Sequence, residues 1–516
     1  MSQPLALTQA QALTLALALT LALLASPPIA ARSLTAQNLT PIPMRDGVVL
    51  RAEVRRPAGS GPFPVLVYRT PYGKDEAATS SLAAKAVERG YAVVVQDVRG
   101  RYASGGDFLP YEQEGRDGYD TIEWAARQPW SNGAVGTFGL SYPGAVQWLA
   151  AIENPPSLKA MVPAMTFASP DRFFYSGGVW DHSWASWVWL NIAPDRRRRM
   201  ALAGATTYEA AAREWATDRE RILHYLPLAG LPDFQTIAPW YAAWLLRPPW
   251  DSSWSWADLR GKYGRTDAAV LNISGWHDEA YGPHGATSNF AGLVEARDGR
   301  ASRTRLVIGP WVHGVDAMAR TTVGEREMGP DSRIDYDELV LRWMDRWVRG
   351  VQNGVEREPP VRVFVMGANR WREADRWPLP RMRPETLYLR GEEDLALSAG
   401  GEARGLERNT PRVAARCCND TISRGSLNAP LSTLDSDPAN PVTDLYAERA
   451  GAHDYRDLGS RPDVLTFETA PLENDAEVIG AINAEIYLSA SSPDTDLWVT
   501  VLDVAPDGTA FNLMYP

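Results

Sequence analysis

The 516-residue chain has very little cysteine, and the only two, Cys417 and Cys418, are neighbours. This scarcity excludes a disulfide framework and a cysteine-rich zinc site, so no structural metal is expected. Two buried thiols are the expected state of the pair, and a strained vicinal disulfide is the alternative.

An excess of basic residues is also missing. Lys and Arg number 52 against 63 Asp and Glu, which gives a formal net charge of -11. Nucleic-acid binding depends on basic patches that neutralise phosphates, so a nucleic-acid partner is not expected. Hydrophobic residues make up 45% of the chain and charged residues 22%. Both values are near the globular average and predict a folded, water-soluble protein.

Long apolar runs are absent except near the amino terminus, where residues 12–25 contain only apolar residues and threonine. This run is short for a membrane span but has the length of a signal-peptide core. The first charge is Arg32, so no basic residue precedes the run as it would in an ordinary signal. We predict an atypical signal peptide over residues 1–31, export to the periplasm or the exterior, and no stable membrane association after cleavage. A retained anchor is the alternative.

From residue 40 to about 355 the pattern alternates between strands and helices. A hairpin is predicted over residues 40–57, with Asp46 and Gly47 at the turn. Continuous apolar strands are predicted at 64–69, 91–96, 135–138, 159–162, 268–273 and 305–308, and helices at 80–89 and 117–127. Continuous apolar strands separated by helices are typical of a parallel sheet covered on both faces. The fold class is therefore α/β.

Two regions interrupt this alternation and define the predicted domains. Residues 167–263, rich in Trp, Arg and Ala, are predicted to form a helical lid inserted into a catalytic domain of residues 40–166 and 264–355. The run Arg196 to Arg199 is expected to be a solvated helix face. Residues 356–516 are predicted to form a β-sandwich, with strands at 361–366, 386–389, 464–469, 481–490 and 496–504. The last hairpin is cut short, so we expect this domain to be truncated.

The strongest local signal is the strand at residues 135–138, followed by Gly139, Ser141 and an apolar helix. A sharp turn from strand to helix can hold an exposed nucleophilic serine when small residues flank it. Pro143 stands where a second glycine is usual, and Gly144 follows it. The backbone N–H of Tyr142 and the positive end of the helix would stabilise an oxyanion.

A serine nucleophile needs a base and an orienting acid, in the chain order Ser, acid, His. Of the six histidines, His313 lies just after a late predicted strand and is the predicted base. Asp278, after the preceding strand, is the predicted acid. Glu279 is a competing carboxylate, and His277 precedes the acid and is expected to face another way.

Five segments, at residues 69–74, 96–106, 139–144, 275–278 and 309–313, together resemble the cocaine esterase/NonD family of hydrolases. This resemblance implies an α/β-hydrolase fold with a lid and a C-terminal jelly-roll-like β-sandwich. It implies a Ser141, Asp278 and His313 triad, with the N–H of Tyr142 and the phenol of Tyr72 as the oxyanion hole. No cofactor or metal is implied. The loop at residues 97–106 is expected to be structural, with Asp97 and Arg99 paired beneath the site.

The resemblance also bears on substrate. The α-amino acid ester hydrolases of the family carry carboxylates two and three places after the acid, where this chain has Ala280 and Tyr281. We therefore expect a small-molecule carboxylic ester with a bulky or aromatic acyl group as substrate. The 20 Trp residues serve either core packing or an apolar pocket. An X-Pro dipeptidyl-peptidase or amide-cleaving acylase is the alternative in the same family, and an idle secreted binding protein is the alternative of another class. A homodimer is left open.

Overall fold

The computed structural model describes residues 39–390, 405–408, 435–437, 439–447 and 449–514. Its centre is a ten-stranded sheet. The strands are β1 (Thr40–Pro43), β2 (Val49–Arg55), β3 (Phe63–Thr70), β4 (Ala92–Asp97), β5 (Ser131–Leu140), β6 (Leu158–Ala164), β7 (Ala269–His277), β8 (Thr304–Val312), β9 (Val361–Val365) and β10 (Arg370–Ala374). The predicted signal peptide and the Cys417–Cys418 pair lie outside the described residues.

The strand order is β1-β2-β4-β3-β5-β6-β7-β8-β9-β10. Strands β4, β3, β5, β6, β7, β8 and β9 pair in parallel, whereas β2 pairs antiparallel with β4 and β10 pairs antiparallel with β9. All six residues of β4 are buried, as expected for a parallel strand covered on both faces. The six strands predicted from apolar runs are all present, and the α/β prediction is confirmed.

Eleven α-helices occur among the described residues. They are α1 (Lys74–Ala78), α2 (Ser81–Glu88), α3 (Glu114–Ala126), α4 (Tyr142–Ala151), α5 (Ser183–Trp187), α6 (Ala193–Met200), α7 (Tyr208–Leu223), α8 (Pro232–Ile237), α9 (Pro239–Leu245), α10 (His284–Ala296) and α11 (Tyr336–Trp347). The two helices predicted at 80–89 and 117–127 correspond to α2 and α3. Ser80 caps α2 by accepting the N–H of Ala83. Over the described residues, no helix combines the length and the apolar character needed to cross a membrane.

The region between β6 and β7 contains helices α5 to α9 and a short hairpin, Tyr175–Ser176 with Val179–Trp180. Its interior is aromatic: Trp244 and Trp254 are almost fully buried against Phe174, at ring distances of 4.6 and 4.2 Å. These tryptophans serve core packing. The prediction of a solvated arginine face is wrong at Arg197, which is 5% exposed and pairs with Glu214 at 2.9 Å.

The C-terminal part differs from the prediction at its first strand. The strand predicted at 361–366 is β9, and it pairs in parallel with β8, with Val361 opposite Leu306. It therefore extends the central sheet and does not open a separate sandwich. Among the described residues beyond 375, strands occur only at 388–390, 405–408, 467–468, 502–504 and 510–512. Residues 481–490, predicted as a strand, contain none.

Candidate active site

Ser141 lies at the sharp turn between β5 and α4 with a φ of 69°, a left-handed conformation that costs energy for a residue with a side chain. Its backbone N–H donates to the carbonyl of Ala164 at 3.0 Å. A Cβ at Gly139 would lie 2.5 Å from Pro143, and one at Gly144 would lie 2.6 Å from the carbonyl oxygen of Ala164. Both positions therefore lack the space for a Cβ, and the second glycine of the turn is Gly144, one place later than usual.

A buried polar network fixes Tyr142 beneath this turn. Its phenol donates to Glu114 at 2.8 Å and accepts the N–H of Tyr111 at 3.0 Å. Glu114 in turn pairs with the buried Arg69 at 2.8 Å. Burial raises the pKa of the Tyr142 phenol well above its ordinary value, so the phenol keeps its proton. Tyr142 is the first residue of α4, where backbone N–H groups have no acceptor within the helix.

The carboxyl ends of β7 and β8 bring Asp278 and His313 together. His313 Nδ1 lies 2.8 Å from Asp278 Oδ1. Asp278 is buried and also accepts the hydroxyl of Ser274 at 3.2 Å and the N–H of Ala280 at 3.2 Å. Burial alone would lower the pKa of His313, but the charge and hydrogen bond of Asp278 raise it above the ordinary 6.5. The pair can accept and return a proton near neutral pH.

The neighbouring carboxylate has a different partner. Glu279 Oε2 accepts the backbone N–H of His313 at 2.9 Å, and burial raises the pKa of Glu279. Asp278 therefore contacts the imidazole, while Glu279 contacts the main chain of the same residue. His277 points elsewhere, as expected: its ring nitrogens lie 3.0 Å from the carbonyl oxygen of Pro310 and 3.2 Å from that of Asn512.

The phenol of Tyr72 lies beside Ser141. Its oxygen accepts the indole N–H of Trp187, on α5, at 3.1 Å. Burial raises the pKa of Tyr72, although the Trp187 hydrogen bond and the nearby Ser141 side chain oppose this effect. A protonated phenol held by a donor on its oxygen can direct its own O–H at a substrate oxygen.

Tyr281 lies between the serine and the acid–base pair. Burial raises the pKa of its phenol, and the nearby Tyr111 and Ser141 oppose this effect. Its ring lies 5.6 Å from the ring of His313 and 5.3 Å from that of Phe173. Among the contacts of the described residues, no direct hydrogen bond joins Ser141 to His313. Contacts of this kind tighten when substrate binds.

In the loop at residues 97–106, the predicted pair of Asp97 with Arg99 is wrong. Asp97 accepts the backbone N–H of Lys74 at 2.7 Å and lies 3.6 Å from its ammonium group. Arg99 instead pairs with Asp117 at 2.6 Å and with Asp46 at 2.9 Å. The two side chains leave the loop in different directions because Asp97 ends a strand and Arg99 lies beyond it.

Sequence reasoning missed Arg101, Trp187 and Tyr281. The fully buried Arg101 donates to the carbonyl of Pro71 at 2.8 Å and to lid carbonyls at Asn191 and Ile192, at 2.8 and 3.0 Å. It thereby ties the segment before Tyr72 to the helices that carry Trp187. The density of aromatic residues between 180 and 189 was the only signal in the sequence for the Trp187 contact.

Comparison with known proteins places this chain in a family. Residues 46–315 match the family model of the X-Pro dipeptidyl-peptidase (S15 family), and residues 353–515 match that of the X-Pro dipeptidyl-peptidase C-terminal non-catalytic domain. Cocaine esterase of Rhodococcus sp. (strain MB1 Bresler) is 32% identical over 498 residues, covering 92% of this chain and 81% of the relative.

Solved structures share the fold. An aminopeptidase from a marine sediment Thaumarchaeota archaeon is 23% identical with a TM-score of 0.53, covering 71% of this chain and 64% of its own. An α-amino acid ester hydrolase is 24% identical with a TM-score of 0.51, covering 69% and 62%. A CocE/NonD family hydrolase from Staphylococcus aureus is 22% identical with a TM-score of 0.50, covering 69% and 58%. The match spans about three fifths of these solved chains. By its family match and its relationship to cocaine esterase, the chain belongs to the S15 family of CocE/NonD hydrolases.

Proposed function

We propose that this protein is a serine hydrolase that cleaves a carboxylic ester through an acyl-enzyme. The observation that carries the proposal is the placement of three groups at one edge of the sheet. Ser141 occupies the left-handed turn after β5, and the 2.8 Å pair of Asp278 and His313 follows β7 and β8. A strained serine at the same edge of the sheet as an oriented imidazole is an arrangement that suits nucleophilic acyl transfer.

In the proposed mechanism, His313 Nε2 takes the proton of Ser141 as its Oγ attacks the ester carbonyl. Asp278 holds Nδ1 and stabilises the imidazolium. His313 then gives the proton to the departing alkoxide, and the C–O bond to the alcohol breaks. Water attacks the acyl-enzyme in the same way, with His313 again as base, and releases the carboxylic acid and Ser141.

The negative charge that develops on the carbonyl oxygen needs donors fixed in advance. We assign this role to the backbone N–H of Tyr142 and the phenol of Tyr72. Tyr142 is immobilised by its bonds to Glu114 and Tyr111, and Tyr72 by its bond from Trp187. Because burial raises the pKa of Tyr72, the donor keeps its proton at neutral pH.

The surroundings of the serine favour a neutral, bulky acyl group. Tyr281 and Phe173 stack at 5.3 Å, and the Tyr281 ring lies 5.6 Å from that of His313. Aromatic walls of this kind bury apolar surface and orient flat rings. In the lid, the carboxylate of Asp171 pairs with the guanidinium of Arg260 at 3.2 Å. Because Arg260 partly compensates its negative charge, Asp171 is less suited to bind the ammonium group of a substrate. The inserted helices are proposed to act as the lid of this pocket.

The decisive experiment is labelling with a fluorophosphonate probe, wild type beside Ser141→Ala. It is followed by assays on p-nitrophenyl benzoate, p-nitrophenyl acetate and X-Pro p-nitroanilides. We expect labelling only in the wild type, with benzoate turned over more efficiently than acetate. Turnover of the anilides would move the protein to the peptidase side of the family. No labelling of folded protein would contradict the proposed mechanism and favour the binding-protein alternative. Export is tested separately, by sequencing the amino terminus of secreted protein.

A further inference from the structure

A polar cavity lies between the loop after His313 and the C-terminal segment. It is lined by residues that include Arg320, Thr321, Thr322, Glu325, Arg449 and His453. Within the part of the chain that the structure describes, neither arginine side chain has a carboxylate partner. In a chain of net charge -11, two such guanidinium groups at one cavity are a concentrated positive site.

His453 is the buried member of this lining. The residue is 3% exposed, and its Nδ1 has an ion-pair contact with Glu325, whereas its Nε2 has no partner among the described residues. Buried polar atoms are normally satisfied, so an unpartnered nitrogen on a residue that lines a cavity is a candidate to bind a ligand. The ring is held firmly: it stacks on Tyr446 at 4.3 Å, and the backbone N–H of His453 donates to Asn512 at 2.8 Å.

The cavity also contains a carboxylate, Glu325. Its Oε1 lies 3.4 Å from His453 Nδ1, and its Oε2 accepts the N–H of Asp454 at 3.3 Å. Its two oxygens therefore contact the histidine and the main chain, and neither pairs with Arg320 or Arg449 among the described residues. The guanidinium of Arg449 stacks on the Tyr446 ring at 4.9 Å, which keeps its N–H groups available.

The two segments that line the cavity, residues 320–325 and 449–453, are hydrogen bonded to each other at one point. Gly324 bridges Ala452, and the N–H of Glu325 donates to the carbonyl of Ala452 at 2.8 Å. A Cβ at Gly324 would lie 2.3 Å from that carbonyl oxygen, so the approach requires glycine. The cavity walls are thus preformed, which lowers the entropic cost of binding.

We propose that this cavity is a binding site for a small oxyanion, of the size of phosphate or a carboxylate. The ligand would be held by the guanidinium groups of Arg320 and Arg449 and by His453. Guanidinium groups bind such anions through two parallel N–H bonds. A bound oxyanion would bridge the loop at 320–325 and the segment at 449–453, and so stabilise their contact.

The test is calorimetric titration of the full-length protein with sodium phosphate, and separately with sodium acetate, at constant ionic strength. We expect saturable binding of at least one anion to a single site. Arg320→Gln and Arg449→Gln should each weaken it at least tenfold. Arg300→Gln, which removes the same charge from a side chain that is 73% exposed, is the matched control and should bind as the wild type does. The unfolding midpoint of each variant without anion reports whether it is folded. Absence of saturable binding for both anions would overturn the proposal, as would unchanged binding in the Arg320→Gln, Arg449→Gln double variant.

Discussion

Replacing Trp187 by Phe removes one hydrogen bond from the proposed oxyanion hole and keeps an aromatic ring in place. The indole N–H donates to the Tyr72 oxygen at 3.1 Å, and a neutral bond of this kind contributes about 0.5–1.5 kcal/mol. If the bond orients the phenol in the transition state, kcat/KM should fall roughly 2- to 10-fold. Tyr72→Phe removes the oxyanion donor itself and should lower kcat by about 10²- to 10³-fold.

A double-mutant cycle on p-nitrophenyl benzoate separates orientation from packing. Trp187 acts through Tyr72 in this reasoning, so Trp187→Phe should cost little more once Tyr72 is already Phe. Trp184→Phe is the matched control: it lies on the same helix, and its indole nitrogen has no hydrogen-bond partner among the described residues. It should leave kcat within about twofold. Additive losses in the cycle, or equal losses in the Trp184 and Trp187 variants, would refute the reasoning.

Four further perturbations test the acid–base pair and the packing of the lid. Asp278→Asn should lower kcat by about 10⁴-fold and shift the acidic limb of kcat/KM to lower pH, because Asp278 raises the pKa of His313. With that pKa raised, activity is present above it and lost as pH falls through it, and a pH–rate profile checks the shift. Glu279 hydrogen bonds only with the backbone of His313, so Glu279→Gln should shift the acidic limb less and keep most of the activity. A larger effect of Glu279→Gln than of Asp278→Asn would make Glu279 the orienting acid. Arg101→Met should destabilise the protein by about 3 kcal/mol in urea unfolding, because three carbonyls and a nearby carboxylate lose a buried cation. Trp244→Ala should cost about 3–5 kcal/mol by the cavity it leaves, and a loss under 1 kcal/mol would contradict its place in the lid core.

The central sheet was predictable because its signal is local. Each parallel strand is a short apolar run between helical segments, and the structure contains all six predicted runs, extended by a few residues. The partner of a strand is not a local property. The run at 361–365 has the same apolar character whether it opens a sandwich or joins the central sheet, so only the structure assigns it to β8.

The candidate site was also predictable from the sequence only in part. Chain order and position after the strands were enough to select Asp278 and His313, which the structure brings within 2.8 Å. The contact of Trp187 with Tyr72 joins residues 115 positions apart, and no spacing rule predicts such a pair. The partner of Asp97 was missed for a similar reason. Lys74 follows the neighbouring strand β3 and is distant in sequence, whereas Arg99 is close to Asp97 only in sequence.

Strand β9 has a consequence for dividing this chain into pieces. It covers the outer side of β8, the strand that leads directly to His313. A fragment that ends at residue 355 would lack β9, so the outer edge of β8 would expose unpaired backbone N–H and C=O groups. Such an edge is a template for aggregation. A fragment ending after residue 374 would keep both β9 and β10. We therefore expect a catalytic fragment that ends at residue 355, where the sequence pattern changes, to be insoluble. Expression trials should use fragments that end after residue 374.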